Sequence, residues 1–144
     1  MVLFPMTDNN EGADRDLTSL IADHMETGFL ENIIDMFKRD HTLYALVADL
    51  IQDERVRVRV GVTALIEELA TSDKGNISRA VPNLLPLLGH SEPVVRGDTS
   101  NLLGIIGDKS ATPFLEAVLT DDNPDVRLIA KEAIEEIRLQ DFTP

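Results

Sequence analysis

From Leu17 onward the chain shows almost no strand-like alternation, and its apolar residues recur one helical turn apart. Leu43, Leu46, Val47, Leu50 and Ile51 follow the i, i+3, i+4, i+7, i+8 pattern of an amphipathic helix. The same pattern returns further along at a fixed period. Sliding the C-terminal segment back by 31 residues lays Pro113, Leu115, Leu119, Pro124, Val126 and Arg127 on Pro82, Leu84, Leu88, Pro93, Val95 and Arg96. A further step of 37 residues lays Arg96, Val95 and His90 on Arg59, Val58 and Asp53, with the six extra residues in the turn-rich run Thr71-Ser72-Asp73-Lys74-Gly75-Asn76. A period in this range marks a stack of helical hairpins.

Each unit reads as two helices. The first members fall at about 41–52, 78–89 and 110–120, and the second at about 54–71, 92–107 and 124–140. The second helices carry matched apolar ladders: Val62, Leu65, Ile66, Leu69; Thr99, Leu102, Leu103, Ile106; Ala130, Ala133, Ile134, Ile137. Pro93 and Pro124 stand where a helix starts and a missing N–H costs nothing. Pro86 falls inside a helix and predicts a bend there. Upstream, Leu17, Leu20, Ile21, Phe29, Leu30, Ile33, Ile34 and Phe37 predict one more, degenerate pair that caps the stack. The expectation is one domain over 17–144, with pairs at about 17–39, 41–71, 77–107 and 108–140. The polar run Thr7 to Asp16 predicts a flexible arm over 1–16.

Composition narrows the function classes. Aromatic residues make up 4% of the chain, with no Trp and one Tyr, so the core must be aliphatic. Cysteine is absent, which excludes disulfides, thiolate metal sites and a cysteine nucleophile. Thirteen basic against 26 acidic residues give a net charge of −13, which argues against nucleic acid and membrane as partners. No apolar run reaches the length of a membrane span and no secretory signal opens the chain, so a cytoplasmic location is expected.

The run Asp121-Asp122-Asn123-Pro124-Asp125-Val126-Arg127 with Ala130 and Ala133 resembles the HEAT-repeat family, as does Gly107-Asp108-Lys109-Ser110-Ala111-Thr112-Pro113-Phe114-Leu115. The pattern particularly resembles the short bacterial and archaeal subtype also found in phycobilisome lyases. The resemblance covers about 41–140 and implies an all-α, right-handed α-α superhelix of about four helix pairs. It also implies a polar ladder along the stack between a turn aspartate and the arginine six residues later. Asp53 with Arg59 and Asp121 with Arg127 match that spacing, whereas His90 stands in place of the aspartate before Arg96. The histidine is expected to weaken the middle rung or tie it to pH.

Catalytic patterns are missing. His24, His41 and His90 stand apart, no G-x-S-x-G or H-E-x-x-H occurs, and neither phosphate-binding glycine motif appears. Adjacent carboxylates such as Glu67-Glu68, Asp121-Asp122 and Glu135-Glu136 diverge by about 100° on a helix and read as solvated faces. No catalytic residue, metal or cofactor is therefore expected. In an acidic chain the cations Arg55, Arg57, Arg59, Arg96, Arg127 and Lys131 gather in the early turns of second helices, which line the concave side of stacks in the family. Arg55, Arg57, Arg96, Arg127 and Lys131 are the expected docking surface, for an acidic segment of another protein. The expected function is a non-catalytic protein-binding module or scaffold. The alternative is a subunit of an enzyme system, as bilin lyases are, that handles a chromophore or a modification substrate. A DNA-binding stack of the alkylpurine-glycosylase kind would need a basic, aromatic-bearing face. Ile129, Leu139 and Phe142 predict a homodimer through the C-terminal end.

Overall fold

The computed structural model describes the backbone of residues 6–140 and side chains from Arg15 onward. Among the described residues there are eight α-helices and no strand: α1 (Met6–Glu26), α2 (Leu30–Arg39), α3 (Val47–Leu50), α4 (Val56–Ser72), α5 (Val81–Leu84), α6 (Pro93–Ile106), α7 (Thr112–Val118) and α8 (Pro124–Gln140). Consecutive second helices lie against each other, α4 on α6 and α6 on α8, while the first-helix segments form the adjoining row. The architecture is an α-α solenoid.

The second helices are long because each carries an uninterrupted apolar stripe. Val58, Val62, Leu65, Ile66 and Leu69 of α4, Val95, Leu102, Leu103 and Ile106 of α6, and Val126, Ala130, Ala133 and Ile137 of α8 are all buried. Ile134 departs from its expected ladder and is only half-buried. Thr99 is fully buried with its Oγ1 unpaired, at a register where the neighbouring units carry Val62 and Ala130. The first helices are broken. Each begins as a 3₁₀ turn, at His41–Leu46, Ile77–Ala80 and Lys109–Ala111, before widening into a short α segment. In the second unit the outcome at Pro86 is a change of helix type: α5 stops at Leu84 and the chain continues as a second 3₁₀ turn over Leu85–Gly89.

Small residues set how closely the stack can pack. A Cβ built on Gly104 of α6 would stand 2.9 Å from the Cα and Cβ of Ala133 on α8, and one on Gly61 of α4 would collide with the Met25 side chain of α1. Gly107 ends α6 in the left-handed conformation, with φ of 78°, that favours glycine at a helix C-terminus.

The leading pair is not a copy of the others. Helix α1 packs chiefly on α4, and α2 touches both α4 and the His41–Leu46 turn. Among the described side chains of this pair, Ile21, Ala22, Met25, Ile33 and Phe37 are buried. Residues 6–16, expected to belong to a flexible arm over 1–16, are part of helix α1, and residues 1–5 lie outside the described residues.

Candidate functional site

The turn before each second helix is built the same way three times. The side chain at its first position accepts a hydrogen bond from the backbone N–H two residues on: Asp53 Oδ1 from Arg55 at 2.9 Å, His90 Nδ1 from Glu92 at 3.0 Å, and Asp121 Oδ1 from Asn123 at 2.9 Å. The arginine six residues later folds back and donates to the backbone carbonyl of that same first residue: Arg59 to Asp53 at 3.1 Å, Arg96 to His90 at 2.9 Å, and Arg127 to Asp121 at 2.7 Å. The spacing read from the sequence is therefore real, but the i to i+6 bond ends on a carbonyl and not on the aspartate side chain. His90 does not weaken the bond within its own unit, because any residue supplies that oxygen and the imidazole nitrogen replaces the carboxylate as acceptor.

The carboxylates work between units instead. Arg96 holds both oxygens of Asp121 in the following turn, at 2.8 and 2.9 Å, and touches Asp122 at 3.1 Å. This pairing with Arg96 holds the Asp121 carboxyl down to about 2. One unit earlier Arg59 faces no turn aspartate, since His90 occupies that position. It pairs with Asp98 on α6 at 3.4 Å, and burial raises the Asp98 carboxyl while Arg59 pulls against that rise. At the start of the stack Arg55 grips Asp53 with two bonds of 3.0 Å and reaches Asp23 and Glu26 of α1 at 2.9 Å.

The expected basic stripe is thereby dispersed. Arg55 and Arg96 are engaged by carboxylates, and Arg127 is exposed but bonded to its own turn. Arg57 is exposed on α4. Lys131 lies with Lys109 and Arg138 around a hollow of about 600 Å³ between α7 and α8, lined also by Pro113, Leu119, Ile134 and Ile137.

A larger feature crosses the other side of the second helices. A furrow of about 1030 Å³ runs over α4, α6 and α8. Glu67, Ala70 and Thr71 form its α4 wall, Asn101, Gly104 and Ile105 its floor, and Ile129, Glu132, Ala133 and Glu136 its α8 wall. Gly104 and Ala133 are buried, Ile105 and Ile129 are half-buried, and Glu67, Asn101, Glu132 and Glu136 are exposed. Lys74 and Asp108 join the lining near the helix ends, and the Asp108 carboxyl is held low by hydrogen bonds from Ser110. Val60 lies seven residues before Glu67 and Val94 seven before Asn101, so both extend the same faces, and they are 63% and 54% exposed. Those figures place apolar surface in water on the furrow side.

A model of HEAT repeats matches residues 43–135. The chain belongs to the HEAT-repeat family. A search of curated proteins finds no match to it. Repeats of this family generally mediate protein–protein interaction, and in this HEAT stack the furrow lies on the side formed by the second helix of each repeat.

The furrow was not legible as a site in the sequence, where Glu67 and Glu136 read as solvated faces. A signal was present in the spacing of Asn101, Ile105 and Val94, which lie off the buried stripe of α6. The histidines meet no common target. His24 bonds the Leu20 carbonyl at 2.9 Å, His41 lies 3.7 Å from Asp73, and His90 caps its turn. Among the described residues no three side chains of metal-ligating type come together, and no helix is long and apolar enough to cross a membrane.

Proposed function

We propose that the chain is a non-catalytic protein-interaction module whose partner lies along the furrow over α4, α6 and α8. The observation that carries this reading is the furrow itself. It extends over three successive second helices, and its rim of Glu67, Glu132 and Glu136 stands open to water. A polypeptide segment suits that shape better than a small molecule does. The fixed ladder beneath the furrow keeps the surface in one shape, which lowers the ordering cost of binding.

The test is photo-crosslinking from a reactive amino acid placed at Asn101, on the furrow floor, or at Phe114, which is 51% exposed on α7. A partner protein should attach at position 101 and not at 114. Attachment at 114 alone would remove the proposal. The alternative of a bilin-lyase-like subunit predicts a bound pigment or metal, which an absorption spectrum of the purified protein would reveal.

A second contact, a homodimer through the C-terminal end, is supported by the exposure of Leu119, which lines the hollow between α7 and α8, and of Leu139 on α8, at 39% and 61%. Of the other two residues expected in it, Ile129 lines the furrow instead and Phe142 lies outside the described residues. Sedimentation that shows only monomer at high concentration would dispose of the dimer.

A further inference from the structure

The charge of the furrow's occupant follows from which of its polar groups are already paired. Elsewhere on the second-helix turns, cations and carboxylates satisfy one another, as Arg55 does with Asp23, Glu26 and Asp53 and Arg96 with Asp121 and Asp122. In the furrow they do not. Glu67 on one wall and Glu132 and Glu136 on the other have no hydrogen-bond or ion-pair partner among the described residues. Among the described residues Lys74 is the one cation in the lining, against Glu67, Asp108, Glu132 and Glu136.

Geometry turns those charges into a pattern. Glu132 and Glu136 are one turn apart on α8, so their carboxylates repeat about every 6 Å along the furrow. Glu67 faces them from α4 across a floor of Asn101, Gly104 and Ile105. The floor is low because Gly104 has no side chain and its helix lies against Ala133, so a chain can settle between the carboxylates. Ile105 and Ile129, both half-buried, offer apolar contact at the bottom. Any segment lying there has carboxylates on both sides and a small apolar seat beneath it.

Building on the proposed binding function, we infer that the furrow takes a basic polypeptide segment, with lysine or arginine side chains directed to Glu67, Glu132 and Glu136 and an apolar side chain set between Ile105 and Ile129. Long basic side chains fit this arrangement, since their methylene stems can cover the apolar floor while their heads reach the carboxylates. An acidic segment would meet repulsion from both walls.

The experiment is selection from a displayed library of random twelve-residue peptides on the full chain. The binders are then measured against three variants: Asn101→Trp, which fills the furrow; Glu67→Gln/Glu132→Gln/Glu136→Gln; and a charge-matched control, Glu31→Gln/Glu54→Gln/Glu92→Gln, whose residues are exposed and outside the furrow. The expected binders are rich in lysine and arginine, lose binding to Asn101→Trp, and weaken about tenfold or more on the furrow triple variant, the scale of roughly three surface ion pairs. The control should bind within about twofold of the wild type. Binders lost on Asn101→Trp but not enriched in basic residues would overturn this inference and leave the binding function standing. Basic binders weakened equally by the control would also overturn it, since general attraction to an acidic protein would then suffice. Binders indifferent to Asn101→Trp, or no binders, would count against both. Melting curves of each variant separate lost binding from lost fold.

Discussion

Arg96 and Asp121 belong to different repeats and form a two-pronged ion pair, Nε to Oδ2 at 2.8 Å and Nη2 to Oδ1 at 2.9 Å, with side chains only 12% and 10% exposed. The pair ties the turn before α6 to the turn before α8. Because Arg96 also donates to the His90 carbonyl, one guanidinium fastens its own turn and the next one. Bidentate arginine–carboxylate geometry is among the stronger polar contacts available to a protein.

Replacing Asp121 with Asn should cost about 2 kcal/mol at neutral pH, the scale of hydrogen bonds to a charged group, measured by urea unfolding. The pH dependence has a definite sign. The Asp121 carboxyl lies at about 2 in the folded chain against an ordinary 3.8, so its contribution is present above 3.8 and is lost as pH falls towards 2. Asp121→Asn should therefore be destabilised relative to wild type at pH 6 and approach it near pH 2. A constant gap between the two proteins would contradict the ion pair.

The arginine one unit earlier has no turn carboxylate to hold, because His90 stands in its place. His90→Asp should keep the turn's hydrogen bond to the Glu92 N–H and give Arg59 a second acid beside Asp98. The expected gain is about 0.5–1 kcal/mol, and Arg59→Ala should abolish it in a double-mutant cycle. Equal effects of His90→Asp with and without Arg59 would refute a pairing between Arg59 and the following turn.

Gly104→Ala probes the close approach of α6 and α8. The added methyl would meet the Ala133 backbone at 2.9 Å, a contact that cannot yield without separating the helices. A loss of about 1–3 kcal/mol is expected. The surface variant Asn101→Ala, on the same helix and exposed, should change stability by about 0.5 kcal/mol or less.

Tyr44 is the only tyrosine in a chain without tryptophan, so its ionisation can be followed by absorbance alone. Its ring is fully buried, edge-on to Phe37, and its hydroxyl donates to Asp73 at 2.6 Å. Burial and the adjacent carboxylate push the phenol above its ordinary 10.0. A group raised in the folded state stabilises the fold below its unfolded value and loses that contribution as pH climbs. The phenolate band should therefore appear only as the protein unfolds in alkali, and a reversible titration near 10 in the folded protein would contradict the hydrogen bond. Tyr44→Phe should cost about 1–2 kcal/mol, since it removes a donor from Asp73.

How far the sequence could be read depended on what each element responds to. The second helices were legible to within two residues because a stripe such as Val62, Leu65, Ile66, Leu69 fixes both period and buried face over many turns. The first helices were legible in place but not in type. Over four to six residues, as in Ile77–Ala80, a period of 3.0 cannot be told from 3.6. Residues 6–16 gave no apolar period, yet they join α1. The i to i+6 arginines showed in the aligned repeats, but a sequence does not show that their target is a main-chain carbonyl. The furrow depends on which faces of α4, α6 and α8 meet, and a glutamate at position 67 or 136 reads the same whether it borders a groove or open water.

The binding account turns on where a partner lies, and amide hydrogen exchange of the full chain with and without the protein crosslinked at Asn101 reads this directly. Slowed exchange should fall in the carboxy-terminal halves of α4 and α6 and along α8, around Glu67, Ile105 and Glu136. Protection confined to the arginine-bearing turns at 53–59 and 121–127, or to α1 and α2, would contradict it.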